Sequence, residues 1–179
     1  GPGFITICPT LAHGGVKNWS SAFLPAPYQG TPLGNAAVAA KQAQIEYIKN
    51  DFLSRKIQRK QVDFLNDLNR MHQEETGPNQ ILNDRIGSFE LAFRMQEEVP
   101  EIQDISGETE ATMKMYGLDE EQTADFGRQC LMARRFAERG VRFIQVSHSD
   151  QKVQWDQHGN LLEGHGKNAK EVDKPIAGY

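Results

Sequence analysis

Two short apolar runs stand far apart in the chain and have the pattern of buried strands. Residues 4–8 are apolar or β-branched and are closed by Pro9, and residues 141–146 form a second β-branched run directly after Gly140. The first run is typical of a strand that is covered on both faces of a parallel sheet, and the second run is typical of a further strand. A helical pattern that passes through a glycine into the second run indicates an αβ unit. The pattern therefore predicts a layered α/β fold.

Between the two runs, apolar residues recur at helical spacing. Four helices are predicted, at residues 54–77, 79–100, 106–117 and 119–140. Each begins at a polar residue that can cap a helix and ends at glycine or proline. The short connection after the first helix predicts an antiparallel pair. We expect this pair to pack through apolar side chains of both helices, namely Ile57, Phe64, Leu68, Ile86, Phe89 and Phe93.

These patterns divide the chain into three segments. Residues 1–50 hold the first strand and a long loop rich in Gly, Pro, Ser and Asn, residues 51–140 are helical, and residues 141–179 hold the second strand, a polar loop and the start of a helix. The chain opens on Gly1 rather than Met, so we expect an internal part of a larger domain. Two strands alone leave sheet edges uncovered, so we expect the separate chain to be only marginally stable.

Composition excludes some classes of partner. Twenty Lys and Arg residues stand against twenty-four Asp and Glu residues, and the net charge of −4 offers no field that attracts nucleic acid. No apolar run reaches the roughly 18 residues that a membrane span needs, so none is expected in this segment. No glycine-rich phosphate loop follows either strand, which argues against nucleotide binding. The two cysteines, Cys8 and Cys130, lie in apolar settings that favour buried free thiols over a disulfide.

The strongest candidate for chemistry is a cluster that follows the second predicted strand. His148, His158 and His165 lie within eighteen residues, interleaved with Asp150 and Asp156. Ligands of open α/β sheets bind beyond the carboxyl ends of the strands. A carboxylate with an imidazole, as in Asp156 and His158, is a ligand set that suits zinc, manganese or iron. Two ligands do not complete a site, so further ligands must come from elsewhere, and Asp150 or His165 is a candidate for the surrounding shell.

Each of these residues also has a structural interpretation. Asp156 can cap a backbone amide in a surface turn, with His158 simply in solvent. His165 lies between two glycines and is either a ligand or a loop residue. His148, at a strand end, is interpreted as a packed or hydrogen-bonded histidine, and His72, near a helix end, as structural.

Several longer motifs occur in a fixed order through nearly the whole chain. They include Trp19-Ser20-Ser21-Ala22-Phe23-Leu24-Pro25, Phe89-Glu90-Leu91-Ala92-Phe93-Arg94-Met95-Gln96, Trp155-Asp156-Gln157-His158 and Glu171-Val172-Asp173-Lys174-Pro175-Ile176. With these motifs the chain resembles the sulfatase-like family named domain of unknown function 1501. That family looks like a branch of the alkaline phosphatase superfamily. The resemblance implies an α/β/α sandwich with metal ions at the strand ends, of which residues 1–179 are an internal part with a largely helical insertion.

The resemblance also implies roles for individual residues. Asp156 and His158 match the family's Trp-Asp-Xaa-His ligand pair, and His165 matches a histidine of close relatives. The implied cofactor is a divalent ion such as zinc, calcium or manganese. The implied reaction is hydrolysis of a sulfate or phosphate ester of a small molecule or polysaccharide, in the periplasm or after export. The nucleophile would lie outside this segment, so the segment alone is expected to be inactive. The alternative is an exported binding or scaffold protein without turnover, whose interaction surface is the helical region of residues 54–139.

Overall fold

The computed structural model describes residues 2–12, 14–25, 28–46, 50, 52–149 and 155–179. Within these ranges the chain forms a mixed α/β fold of three strands and five α-helices. The strands are β1 (Phe4–Ile7), β2 (Thr31–Leu33) and β3 (Phe143–Val146). The helices are α1 (Arg55–Thr76), α2 (Gln80–Gln103), α3 (Glu110–Met115), α4 (Glu121–Glu138) and α5 (Leu161–Gly178).

The strands form one parallel sheet in the order β2-β1-β3. In the centre, Ile5 lies opposite Thr31 of β2 and Ile144 of β3. Ile5 and Ile7 are fully buried, which explains why β1 is an uninterrupted apolar run. The predicted parallel strands β1 and β3 are therefore confirmed. Because all three strands run the same way, their carboxyl ends meet at one edge of the sheet.

Strand β2 lies inside the region that the sequence predicts to be loop. It is only three residues long and contains Pro32, which has no amide hydrogen to donate to a sheet. A proline is tolerated there because β2 is an outer strand among the described residues. The prediction that a long loop follows the first strand is therefore wrong at β2.

Helices α1 and α2 form the predicted antiparallel pair, with Gly77 at a φ of +86° after α1. The predicted apolar contact between them is wrong for most of its members. Ile86 and Phe93 are buried, but four of the six side chains are between 44% and 61% exposed: Ile57, Phe64, Leu68 and Phe89. Apart from Val62, which is 8% exposed, the face of α1 that contacts α2 is polar. Its contacts are Arg59 with Glu90, Asn66 with Glu90, and both Asn69 and Gln73 with Asn83.

The ends of the later helices differ by a few residues from the prediction. Helix α2 continues past Pro100 to Gln103, because Val99 and Ile102 in its last turn are buried and hold it against the core. Helix α3 begins after Thr109, whose hydroxyl accepts from the Thr112 amide at 3.1 Å. Helix α4 begins at residue 121 rather than at the predicted 119, and the helix expected at the end of the chain begins at residue 161.

Helix α4 connects the two halves of the core. Its Met132, Ala133 and Phe136 pack with the sheet and the end of α2, while its Phe126 and Leu131 pack toward α3 and α5. Gly140, at a φ of +83°, ends α4 and turns the chain into β3, as the sequence predicts. In the described part of the chain, none of the helices combines the length and the apolar character that a membrane crossing requires.

Candidate metal-binding loop

The candidate loop begins at the carboxyl end of β3 and leads into α5. Residues 147–149 leave the strand, and residues 155–160 enter the helix. Asp150, a candidate from the sequence, lies outside the described residues. The loop therefore opens at the sheet edge where the αβ unit predicts a ligand site.

His148 ties the far side of the loop to the strand end. Its Nε2 lies 2.9 Å from Oε2 of Glu171 on α5, and its Nδ1 accepts from the indole N–H of Trp155 at 3.1 Å. The indole N–H also points at the His148 carbonyl at 3.1 Å. The indole can only donate, so Nδ1 stands as an acceptor toward Trp155, and Nε2 faces the Glu171 carboxylate. The Phe126 ring packs edge-on against this imidazole. The prediction that His148 is a packed, hydrogen-bonded histidine is therefore confirmed.

Side chains alternate along the loop after Trp155. Trp155 and Gln157 turn toward the protein, and Gln157 rests on α5 at Gly164, in the space where any Cβ would stand. Asp156 and His158 turn outward, with 63% and 84% of their side chains exposed. The carboxylate and the imidazole therefore lie on one side of the loop.

The outward pair is close enough to share one ion. His158 Nε2 lies 3.1 Å from Asp156 Oδ2. Two donors that each stand about 2.0–2.2 Å from one ion are roughly 3.0–3.5 Å apart, by the bond lengths of zinc. The two side chains are in direct hydrogen-bond contact, and the same separation suits two neighbouring positions of a coordination shell. The chemistry of the donors, carboxylate oxygen and imidazole nitrogen, fits zinc or manganese.

His165 lies on the first turns of α5 and contacts the same loop from behind. Its Nε2 is 3.2 Å from the Trp155 carbonyl oxygen, and its ring lies 6.2 Å from the Trp155 ring. The structure therefore joins His165 to the residue before Asp156, and does not join it to the outward pair. Over the described ranges, no three His, Cys, Asp or Glu side chains are grouped so as to hold an ion.

Glu171 is the residue of this region that the sequence did not single out for a role. It lies 23 positions from His148, and only the packing of α5 beside β3 brings the two together. In the sequence, Glu171 stands directly before the apolar Val172. A glutamate next to an apolar residue occurs in any amphipathic helix, so this pattern did not distinguish Glu171. A second polar set, Arg134 and Arg135 with Glu108, lies between α4 and the loop before α3.

The two cysteines are buried and free, as predicted. Burial raises the pKa of the Cys8 thiol to about 12, with a smaller effect from the nearby Asp125 carboxylate. Burial likewise raises the pKa of the Cys130 thiol to about 12. Both therefore remain protonated near neutral pH and are poor nucleophiles.

The fold and the loop together define a mixed α/β protein with a polar loop at the carboxyl edge of a parallel sheet. The profile of the family "Protein of unknown function (DUF1501)" matches residues 1–179. The chain belongs to this family. No curated protein and no solved structure matches it.

Proposed function

We propose that this chain is part of a metal-dependent hydrolase that acts on a sulfate or phosphate ester. Asp156 and His158 are two ligands of a divalent ion such as zinc, calcium or manganese, and His165 belongs to the same site. The nucleophile and the remaining ligands come from outside this segment, so the chain alone is inactive. The single observation that carries the proposal is the 3.1 Å approach of the outward Asp156 carboxylate and His158 imidazole at a strand-end loop.

The chain's own residues hold and orient this pair. The Trp155 indole hydrogen-bonds to His148, and His148 in turn contacts Glu171 of α5. These contacts hold the backbone next to Asp156 against the strand end and α5. His165 supports the same backbone through the Trp155 carbonyl. A bound divalent ion would polarise an ester oxygen and stabilise the negative charge that develops there. The amino end of α5, which follows the pair directly, adds a favourable field for an anionic ester.

The family membership supports a wider proposal about fold and location. The three parallel strands with α4 packed on them are compatible with a share of an alkaline phosphatase-like α/β/α sandwich, in which α1 and α2 belong to a helical insertion. In this proposal residues 1–179 are an internal part of one such domain. The substrates are sulfate or phosphate esters of small molecules or polysaccharides, met in the periplasm or after export.

Metal content and turnover test the site together. We expect Asp156→Ala and His158→Ala, introduced into the full-length protein that carries this chain, each to lower bound zinc or manganese by about tenfold or more, because one donor of the shell is lost. Elemental analysis after dialysis measures the metal. Hydrolysis of p-nitrophenyl phosphate and p-nitrophenyl sulfate measures turnover and separates the two ester classes.

His72→Ala is the matched control, because His72 is an exposed histidine on α1. It should leave both metal content and turnover unchanged. If the Asp156 and His158 variants keep the metal of the wild type, the ligand assignment is wrong. If metal is lost but neither ester is hydrolysed by the wild type, the ligands stand and the hydrolase reaction fails.

An exported binding or scaffold protein is a second candidate function. The observation that favours it is the outward apolar side of α1, where Phe64 is 61% and Met71 is 59% exposed. An apolar helix face of this kind is typical of an interaction surface. In this second proposal the helical region binds a partner and the loop at Asp156 has no turnover.

A further inference from the structure

Helix α1 is amphipathic, and its apolar side points away from the protein. Ile57, Phe64, Leu68 and Met71 follow one another at intervals of seven, four and three residues, so they form one stripe on the helix. The side that packs on α2 is centred roughly 175° away around the helix, at 100° per residue. In an ordinary helical pair the apolar stripe would lie in the seam. Here the α1 side of the seam is polar except for Val62, and the stripe is left outside.

The stripe continues across the hairpin onto α2. Leu65 lies beside the stripe, and with Phe64 it lines one wall of a groove of about 560 Å³ between the two helices. Phe89 and Ala92 of α2 line the other wall. The exposed apolar surface is therefore one patch, made by both helices of the hairpin. We call this patch, residues 57, 64, 65, 68, 71 and 89, the hairpin surface.

Charge is segregated along α1 beside this surface. Residues 55–60 contain four basic and no acidic side chains, a net +4. Residues 63–75 contain four acidic side chains and one arginine, and 1 − 4 gives −3. The helix thus has a basic first half and an acidic second half. Its basic residues also stand at the amino end, where the helix dipole disfavours them, so helix stability does not explain the order.

Along one edge of the apolar stripe, which we call its margin, a basic residue is followed by acidic residues at intervals of seven. Lys60, Asp67 and Glu74 are seven residues apart, and all three are exposed. When two copies of a helix pair antiparallel about a two-fold axis, the same margin of each lies on the same side of the pair. Lys60 of one copy then faces the acidic half of the other, and the contact occurs twice.

We propose that the hairpin surface binds a second copy of this chain, with the two α1 helices antiparallel. The result is a four-helix arrangement of two hairpins, in which the outward stripes cover each other and the charge halves pair. The charge order favours a second copy as the occupant because α1 is complementary to its own reverse. This proposal does not depend on the proposed hydrolase site, which lies at the start of α5.

The contact is expected to be modest in strength. From residue 57 to residue 71 the stripe is about 21 Å long at 1.5 Å per residue. A surface of this length falls below the roughly 800 Å² per partner of standard interfaces unless the α2 side contributes as well. We therefore expect a dimer whose dissociation constant is micromolar and which dissociates on dilution.

Sedimentation velocity over a concentration series measures the association directly. Lys60→Glu should raise the dissociation constant by about tenfold or more, because it places like charges together, and the pair Asp67→Lys with Glu74→Lys should do the same. The three changes combined reverse every charge of this margin, Lys60, Asp67 and Glu74, and should restore the association of the wild type. Leu68→Gln should weaken it through loss of apolar contact.

Leu162→Gln is the matched control for Leu68→Gln, since Leu162 is 93% exposed on α5 and lies outside the hairpin surface. It should leave the dissociation constant unchanged. Circular dichroism confirms that each variant is folded. A wild type that stays monomeric at a hundred micromolar overturns the proposal. So does a dimer that the charge reversals do not weaken, or one that the combined variant fails to recover.

Discussion

Two arginines of α4, Arg134 and Arg135, pair with the single carboxylate of Glu108. One oxygen, Oε1, accepts from Arg134 at 2.7 Å and from Arg135 at 2.6 Å, and the side chain is only 11% exposed. The hydrogen bond from Arg134, then that from Arg135, lowers the pKa of this carboxyl against the opposing effect of burial. The carboxylate thereby fastens the loop before α3 to α4.

We expect Glu108→Gln to lower the free energy of unfolding by about 1–3 kcal/mol at pH 7, because two charge-assisted hydrogen bonds are weakened. A folded pKa below the ordinary value means that the wild type gains this stability above about pH 4.3 and loses it as pH falls through the folded pKa. The difference between wild type and variant should therefore shrink in acid. Urea unfolding at a series of pH values measures it.

Glu101→Gln is the control for this prediction. Glu101 pairs with Arg139 at 3.4 Å and its side chain is 69% exposed, so solvent screens the pair. This variant should change stability little at any pH. An equal loss in both variants, or a Glu108 effect that stays constant down to acid, would contradict the assigned role.

The sequence located part of the candidate site, for a physical reason. Asp156 and His158 are two residues apart, so a short extended backbone is enough to place them on one side, and pattern alone could suggest the pair. His148 and Glu171 meet only because α5 packs beside β3, and no local spacing encodes that contact. For the same reason the sequence did not fix whether His165 is a ligand or a loop residue.

At the scale of the elements, two glycines in helices have opposite surroundings. At Gly127 of α4 a Cβ would stand against the Tyr116 carbonyl oxygen, far inside van der Waals contact. At Gly87 of α2 nothing lies within 4 Å of an added Cβ. Helix propensity alone treats the two positions alike, because alanine is favoured over glycine inside any helix.

We expect Gly127→Ala to destabilise the protein by about 1–3 kcal/mol, since the rigid backbone of residue 116 must move. Gly87→Ala should instead stabilise it by up to about 1 kcal/mol, because only propensity changes. Thermal unfolding of the two variants gives the comparison. Stabilisation by both substitutions would show that α4 does not approach Tyr116 as closely as the structure has it.

Element ends were predictable where a local residue decides them, and element faces were not. Ser54, Gly77 and Gly140 mark ends that the structure confirms. The two glycines act within one turn through their positive φ, whereas the Ser54 side chain makes no cap hydrogen bond. The face that α1 turns to α2 is set by polar pairs such as Arg59 with Glu90. An apolar stripe indicates that a helix face is buried against another surface, but it does not identify that surface.

At the scale of the whole molecule, α4 is shared by both parts of the core. Phe136 is 1% exposed among residues of the sheet side, while Leu131 is fully buried on the side of α3 and α5. A helix is one cooperative unit, so loss of packing on one side weakens the other. The two sides are therefore expected to unfold together. The marginal stability of the separate chain, which the sequence leads us to expect, stays a prediction. Unfolding of variants in α4 measures it.

We expect Phe136→Ala to lower the free energy of unfolding by about 3–5 kcal/mol, which is a large share of the roughly 5–15 kcal/mol of a typical domain. Phe52→Ala is the matched control, because that ring is 98% exposed and its loss should cost little.

The two tryptophans report on different regions, since Trp19 is 4% exposed next to Gly30, just before β2, and Trp155 lies beside α5. Fluorescence of single-tryptophan variants during urea unfolding should give one shared midpoint, which Phe136→Ala lowers for both reporters because α4 joins the two regions. Two separate midpoints, or a Phe136→Ala shift confined to Trp19, would show that the sheet side and the α5 side unfold independently.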